Sequence, residues 1–295
     1  MIGSHGLWKA LRDLVRGRTP SPGDGASGPP EDATLAQGVP ERFGPYRVRR
    51  KLGQGGMGIV YEAHDERLER SLAIKVIARD AADETTIRRF WREARAAAAV
   101  NHPNVCQLYE LGEHEGSLYI AMELLEGEPL AERLRKGALP LAEAMPIAFG
   151  MLAALEALHA RGLVHRDLKP SNVFLTPHGV KLLDFGLARK AVSVGSLTGN
   201  LDSGPSELTR PGMILGTPRY MAPEQVRGDE VDGRADLFAV GAILFEMLAG
   251  RPPFTGKSAV EVFYATLHEQ PPALTGSPAV VATDRVIRKA LQKRA

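Results

Sequence analysis

His165-Arg166-Asp167-Leu168-Lys169-Pro170-Ser171-Asn172 and, after the run VFLTPHGVKLL, Asp184-Phe185-Gly186 are the two strings on which the reading of this chain turns. The first gathers a carboxylate, a cation and a carboxamide into one short loop behind an apolar helix predicted over 141–160. Asp167 is placed to accept the hydrogen bond of an incoming hydroxyl and orient it, and Lys169 to neutralise charge on a transferring phosphoryl group. Asn172 and Asp184 are hard oxygen donors of the kind Mg²⁺ shares with phosphate. Either string alone reads equally well as a polar loop satisfying its own backbone. Together, at this spacing, they point to metal-assisted phosphoryl transfer.

Upstream, Leu52 opens LGQGGMGIVY, a G-x-G-x-x-G at Gly53, Gly55 and Gly58 with Gly56 between them. The spacing also occurs in dinucleotide-binding folds, where it must open a helix. Here it runs into Ile59-Val60-Tyr61-Glu62-Ala63, a strand pattern. A glycine-rich hairpin between two strands lets backbone N–H groups approach triphosphate oxygens with no Cβ in the way. The next strand carries Lys75 in LAIK, which in isolation reads as a snorkelling surface lysine. Glu93, on the following helix, shares the face of Phe90 and Ala97 and needs a cationic partner. Lys75 is the candidate, and the pair would hold the lysine against the α- and β-phosphates.

The remaining pattern gives the architecture. Strands are predicted from Tyr46 to Ile77 as YRVRRKL, GIVYEAHD and SLAIKVI. A helix follows from about Asp83 to Val100, with Ile87, Phe90, Ala94 and Ala97 as its buried face. Strands near 105–112 and 117–123 precede helices over 129–135, 141–160, 234–249, 258–268 and 281–293. His102-Pro103-Asn104 reads as a terminator of the preceding helix, and Cys106 as a small core residue. The expectation is an α+β chain with a strand-rich lobe, a junction and a helical lobe.

These strings resemble the eukaryotic-like serine/threonine protein kinases, and GQGGMGIVYEA is similar to their bacterial branch. The resemblance runs from about Phe43 to the last residue, with the signature strings in the expected order. It implies a bilobal protein-kinase-like fold: an N-lobe over about 43–123, a hinge at about 123–127 and a C-lobe over about 128–295. ATP would sit in the cleft with Mg²⁺ or Mn²⁺, Met122 as gatekeeper, and Glu123 and Leu125 presenting hinge backbone to the adenine. Val60, Ala73 and Phe174 match the residues that sandwich the adenine ring. DLKPSN and Gly216-Thr217-Pro218-Arg219-Tyr220, before Ala222-Pro223-Glu224, imply serine and threonine hydroxyls of proteins as acceptors. Asp236, in RADLFAVG, matches a helix aspartate that accepts hydrogen bonds from the catalytic-loop backbone. The segment from Asp184 to Glu224 implies regulation by autophosphorylation, with Thr209 the expected site and self-association as its route. The resemblance also places a further helix, and the arginine that pairs with Glu224, beyond Ala295, so the C-lobe is expected to be incomplete. A second reading stays open: an ATP-binding scaffold of the same fold with little activity.

Composition bounds the remainder. The 295 residues carry a net charge of +2, which gives no footprint for nucleic acid. The single Cys106 cannot form an internal disulfide and suggests a reducing, cytoplasmic setting. The longest apolar run is read around Phe238–Leu248, broken by Glu246, so no membrane span is expected. Residues 1–42 form an extension, dense in Gly, Pro and Ser over 17–40, expected to be disordered. Leu7, Trp8, Leu11, Leu14 and Val15 fall at helical spacing there, either as a short basic helix or as a frayed end.

Overall fold

A computed structural model describes residues 40–55, 58–77, 84–184 and 218–293. The expectations for the N-terminal extension, Gly56, Phe185, Gly186, Thr209, Gly216 and Thr217 lie outside the described residues. The chain divides into two compact units. One carries the described residues of Met1–Ala81 and Leu108–Gly127, the other those of Ala82–Gln107 and Glu128–Ala295.

The first unit is one antiparallel sheet. Its strands are β1 (Arg42–Phe43), β2 (Tyr46–Gly55), β3 (Gly58–Asp65), β4 (Arg70–Ile77), β5 (Leu108–His114) and β6 (Ser117–Met122), in the order β1-β2-β3-β4-β6-β5. Alternation puts Tyr61, Ala63, Leu72, Ile74, Tyr119 and Ala121 on one face, where Phe43, Tyr46 and Val48 join them in a buried cluster. Buried phenols need partners. Tyr46 donates to Glu110 at 2.5 Å, and Tyr119 donates to the same carboxylate at 3.2 Å. Register shifts between Val48 and Arg50 and between Lys51 and Gly53 bulge β2 before the hairpin closes at Gly55 and Gly58.

The second unit is helical around a small sheet. Its elements are α1 (Glu84–Ala98), β7 (Glu128–Pro129), α2 (Leu130–Leu134), α3 (Leu141–His159), β8 (Val173–Thr176), β9 (Gly179–Leu182), α4 (Pro223–Arg227), α5 (Gly233–Ala249), α6 (Ala259–His268) and α7 (Pro278–Ala290). Strands β7, β8 and β9 pair antiparallel in that order. On α1, Ala94 and Ala97 are buried as expected, while Ile87 and Phe90 lie outside the described side chains.

Starts and stops follow local chemistry. Asp232 caps α5 by accepting from Arg234 N, and Gly250 ends it in the left-handed region at φ 71°. Ser277 caps α7 with Pro278 at its first position, so this helix begins three residues before the expected 281. Gly241 on α5 lies so close to α7 that a Cβ there would meet the Ala290 methyl at 2.9 Å.

The segment Ala82–Gln107, expected within the N-lobe of about 43–123, groups with the helical unit. Its end is bonded to that unit: Asn104 donates its amide to Val180 O at 2.8 Å and accepts Leu182 N at 2.8 Å, while Cys106 N donates to Leu182 O at 3.0 Å. His102-Pro103-Asn104 is therefore a docking segment as well as a helix stop. The longest apolar segment is also not Phe238–Leu248. Helix α3 is long and apolar enough by length and composition to cross a membrane. In this fold α3 buries Ala144, Ile147, Ala148, Met151, Ala154, Leu155 and Leu158 and packs against α5 and β9.

Candidate active site

In the first unit, expected nucleotide residues lie on one sheet face. Directly opposed residues of a sheet point to the same side. Val60 pairs with Lys75 and Lys75 with Ile120, while Ala73 pairs with Met122. Val60, Ala73, Lys75 and Met122 thus share the face opposite the Tyr46–Tyr119 core, four expected nucleotide residues brought together by register alone. Lys75 is 7% exposed, a buried lysine among the apolar residues Leu72–Ile77 of β4. Glu123 and Leu125 follow β6 as half-buried positions, and Leu52 and Gly53 are buried just before the hairpin.

The hairpin glycines have a second reason to be glycine. Gly58 adopts φ +128°, and a Cβ there would sit 1.8 Å from the Val76 carbonyl. The close approach of β3 to β4 therefore requires glycine at 58 whatever binds at the hairpin.

The charged loop belongs to the second unit. Its scaffold is Asp236, in the first turn of α5. One oxygen of Asp236 accepts Arg166 N at 2.8 Å, and the other accepts His165 N at 2.8 Å. The second oxygen also lies 2.7 Å from His159 Nε2, at the end of α3. Gly233 makes room for this, because a Cβ there would press on the His159 ring at 2.8 Å. The role expected of Asp236 is thus present in the hydrogen bonds.

From this anchor the loop builds inward. Buried His165 accepts from Asp167 N at 3.4 Å on Nδ1, which leaves Nε2 to donate to Leu183 O at 3.0 Å. Lys169 Nζ donates to Asp167 Oδ2 at 2.7 Å. Asn172 donates through Nδ2 to Asp167 O at 2.9 Å and to Oδ2 at 3.4 Å. Asp167 and Asn172 are each 6% exposed, so these charge-assisted contacts are little screened by water. The β8–β9 hairpin brings in the last group. Val173 pairs with Leu182, and Leu183 N donates to Asn172 O at 2.9 Å, which sets Asp184 beside the loop. Phe174, buried on β8, pairs with Pro129 and Lys181. Glu93 is half-buried on α1, in the same unit as the loop, whereas Lys75 belongs to the other unit.

Two non-glycine residues here, Arg166 at φ 63° and Asp184 at φ 56°, occupy the left-handed region. Such conformations cost about 1–3 kcal/mol and persist where surrounding contacts impose them, characteristically at functional sites. For Arg166 the contacts are visible: Asp236 holds its N–H, and Gln225 Nε2 donates to its carbonyl at 2.8 Å.

Comparison with known proteins fits this geometry. Residues 46–288 match the family described as the protein kinase domain. The chain belongs to that family. Among curated proteins, this kinase domain is 41% identical over 264 residues to a probable serine/threonine-protein kinase of Streptomyces coelicolor, covering 86% of this chain and 38% of that protein. It is likewise 41% identical over 263 residues to the serine/threonine-protein kinase Pkn3 of Myxococcus xanthus, covering 84% and 46%. The kinase domain therefore spans less than half the length of these relatives. Among solved structures, the PknI kinase domain of Mycobacterium tuberculosis aligns with a TM-score of 0.65 and 33% identity, over 88% of this chain and 91% of that one. Protein kinases in general use ATP and a divalent metal, and the two curated relatives are named as serine/threonine kinases of bacteria.

The donor set suits such a metal. Asn172 commits its amide nitrogen to Asp167 O, so Oδ1 is the atom it would offer a cation, and Asp184 carries a carboxylate. Oxygen donors of this kind suit a small hard cation that completes its shell with phosphate and water. Sequence reasoning missed three residues: His159, Gln225 and the Tyr220–Glu246 pair partner Glu246. Tyr220 donates to Glu246 at 2.6 Å. A glutamate inside the apolar run of α5 was the available signal, since a buried carboxylate needs a donor.

Proposed function

We propose that this chain transfers the γ-phosphoryl group of ATP to serine and threonine hydroxyls of proteins. The observation that carries the reading is the Asp167–Lys169–Asn172 cluster, in which Lys169 and Asn172 both donate to buried Asp167 and the loop hangs from Asp236. In the reaction the acceptor oxygen bonds to the γ-phosphorus and the bond to the β,γ-bridging oxygen breaks, releasing ADP. Asp167 orients the hydroxyl and takes its proton as the new bond forms, then passes it to solvent. Lys169, already within 2.7 Å of Asp167, balances charge on the equatorial oxygens. Asn172 and Asp184 would hold Mg²⁺, with Mn²⁺ a substitute, and the ion when bound neutralises phosphate charge.

On the sheet of the first unit, Val60, Ala73 and Met122 offer an apolar surface for the adenine. Glu123 and Leu125 supply backbone groups, and Leu52 with Gly53, Gly55, Gly56 and Gly58 covers the phosphates. Lys75 is assigned to the α- and β-phosphates. Autophosphorylation between Asp184 and Glu224, self-association for it and a cytoplasmic setting belong to the same proposal. The serine- and threonine-rich sequence of that segment and the single cysteine support them.

The test is transfer of label from γ-labelled ATP to dephosphorylated casein. Label on serine and threonine, lost on chelation with EDTA and restored by Mg²⁺, is the expected result. Metal-independent labelling, or none with nucleotide bound, contradicts the reading.

A further inference from the structure

Helix α4 begins at Pro223 with Ala222 in the N-cap position, and alanine has no oxygen with which to cap. Gln225, at the third helical position, supplies half of the missing motif by accepting Ala222 N at 3.0 Å on Oε1. Glutamate would do this at least as well, because an anion is favoured at a helix N-terminus. What glutamate lacks is a donor, and Gln225 uses one: Nε2 donates to the carbonyl of Arg166 at 2.8 Å. Both ends of the amide are engaged, so the residue type is specified from two sides.

The carbonyl it grips matters for the reaction. Arg166 O and Asp167 N belong to one peptide plane, and a peptide plane turns as a rigid unit. Gln225 holds the oxygen edge, and the His165 ring accepts from the N–H edge at 3.4 Å. That plane follows a residue held at φ 63°, a conformation it would leave if freed. The orientation of the plane sets the direction in which the Asp167 side chain leaves the backbone.

We propose that Gln225 is a positioning residue for Asp167, locking the Arg166–Asp167 peptide plane and making that geometry conditional on the seating of α4. The inference rests on the phosphotransfer reading above. Gln225 touches no reacting atom itself.

Two variants separate this role from simple support of α4. Gln225→Glu keeps the acceptor for Ala222 N but sets a carboxylate oxygen against the Arg166 carbonyl, and Gln225→Met removes both bonds while keeping the volume. With the intact chain, casein and ATP, both variants are expected to lose about tenfold in kcat, the scale of one buried hydrogen bond. KM for ATP should stay within about twofold, because the bond lost acts on the transition state and not on nucleotide binding. Gln225→Glu should also melt within a few degrees of wild type. Wild-type kcat in Gln225→Glu, or a loss seen in KM for ATP with kcat unchanged, overturns the proposal. A kcat that merely tracks the melting temperature across both variants also overturns it. If wild type itself transfers no phosphate to casein while both variants bind ATP normally, the phosphotransfer reading fails and this proposal falls with it.

Discussion

The carboxylate of Asp236 accepts the backbone N–H of Arg166 at 2.8 Å, so the first turn of α5 dictates the backbone of the loop that carries Asp167. The same side chain serves His165 N and His159, and it is buried. Truncation to Asp236→Ala strands these donors, and each buried donor left without a partner costs about 1–3 kcal/mol. The melting temperature should fall by roughly 10 °C, given about 2–4 °C per kcal/mol for a domain of this size. Phosphotransfer should fall further than the fraction unfolded explains. Unchanged melting and rate would mean that the loop holds its own shape.

Gly58 offers a contrast between a structural and a ligand-binding reason for one glycine. Alanine at 58 would place its Cβ 1.8 Å from the Val76 carbonyl, at φ +128°. Gly58→Ala should therefore destabilise the chain by several kcal/mol with no nucleotide present, as a forced clash at a left-handed position does. The check is a thermal melt of the nucleotide-free protein. An unchanged melt with only a raised KM for ATP would assign this glycine to phosphate contact alone.

Glu246 should leave a signature in the pH dependence of stability. Burial pushes its carboxyl above the ordinary value of 4.5, while the Tyr220 hydroxyl and the nearby Arg219 charge pull it back only in part. A carboxyl raised in this sense holds its proton more tightly folded than unfolded. Its contribution is fully present below about 4.5 and is lost as pH rises through the folded value. Glu246→Gln cannot titrate. The melting temperature of wild type relative to Glu246→Gln should therefore decline as pH rises from 4.5 toward neutrality. A difference that is flat, or that grows with pH, would show that the hydrogen bond and Arg219 outweigh burial.

Much of this was legible in the sequence because it is local. The strand alternation of GIVYEAHD and SLAIKVI fixes which residues share a face, and register then aligns Val60, Lys75, Ala73 and Met122 without further information. The loop from His165 to Asn172 was legible as a string of chemistry, and RADLFAVG pointed to Asp236. What stayed hidden depends on distant partners. The left-handed backbone of Arg166 and Asp184 is imposed by contacts and leaves no mark on a non-glycine residue. Gln225 lies at a capping-box position, but the alanine at 222 breaks the usual Ser/Thr pattern, and its second partner is Arg166 on another loop. Gly58 was legible as a hairpin glycine, yet its clash partner Val76 lies on the neighbouring strand. Asn104 looked like a helix stop because its bonds to Val180 and Leu182 cross to a hairpin far along the chain.

In the proposed reaction Asp167 orients and deprotonates the acceptor hydroxyl. Asp167→Asn keeps the size of the side chain and an oxygen for Lys169, but removes the base. The measurement is mass spectrometry of wild type and Asp167→Asn after incubation with ATP and Mg²⁺, with nucleotide affinity determined in parallel. Wild type should gain phosphate on serine and threonine, and the variant should bind ATP within about twofold while its transfer rate falls by about 10²-fold or more. Near-wild-type phosphorylation by Asp167→Asn would contradict the account directly.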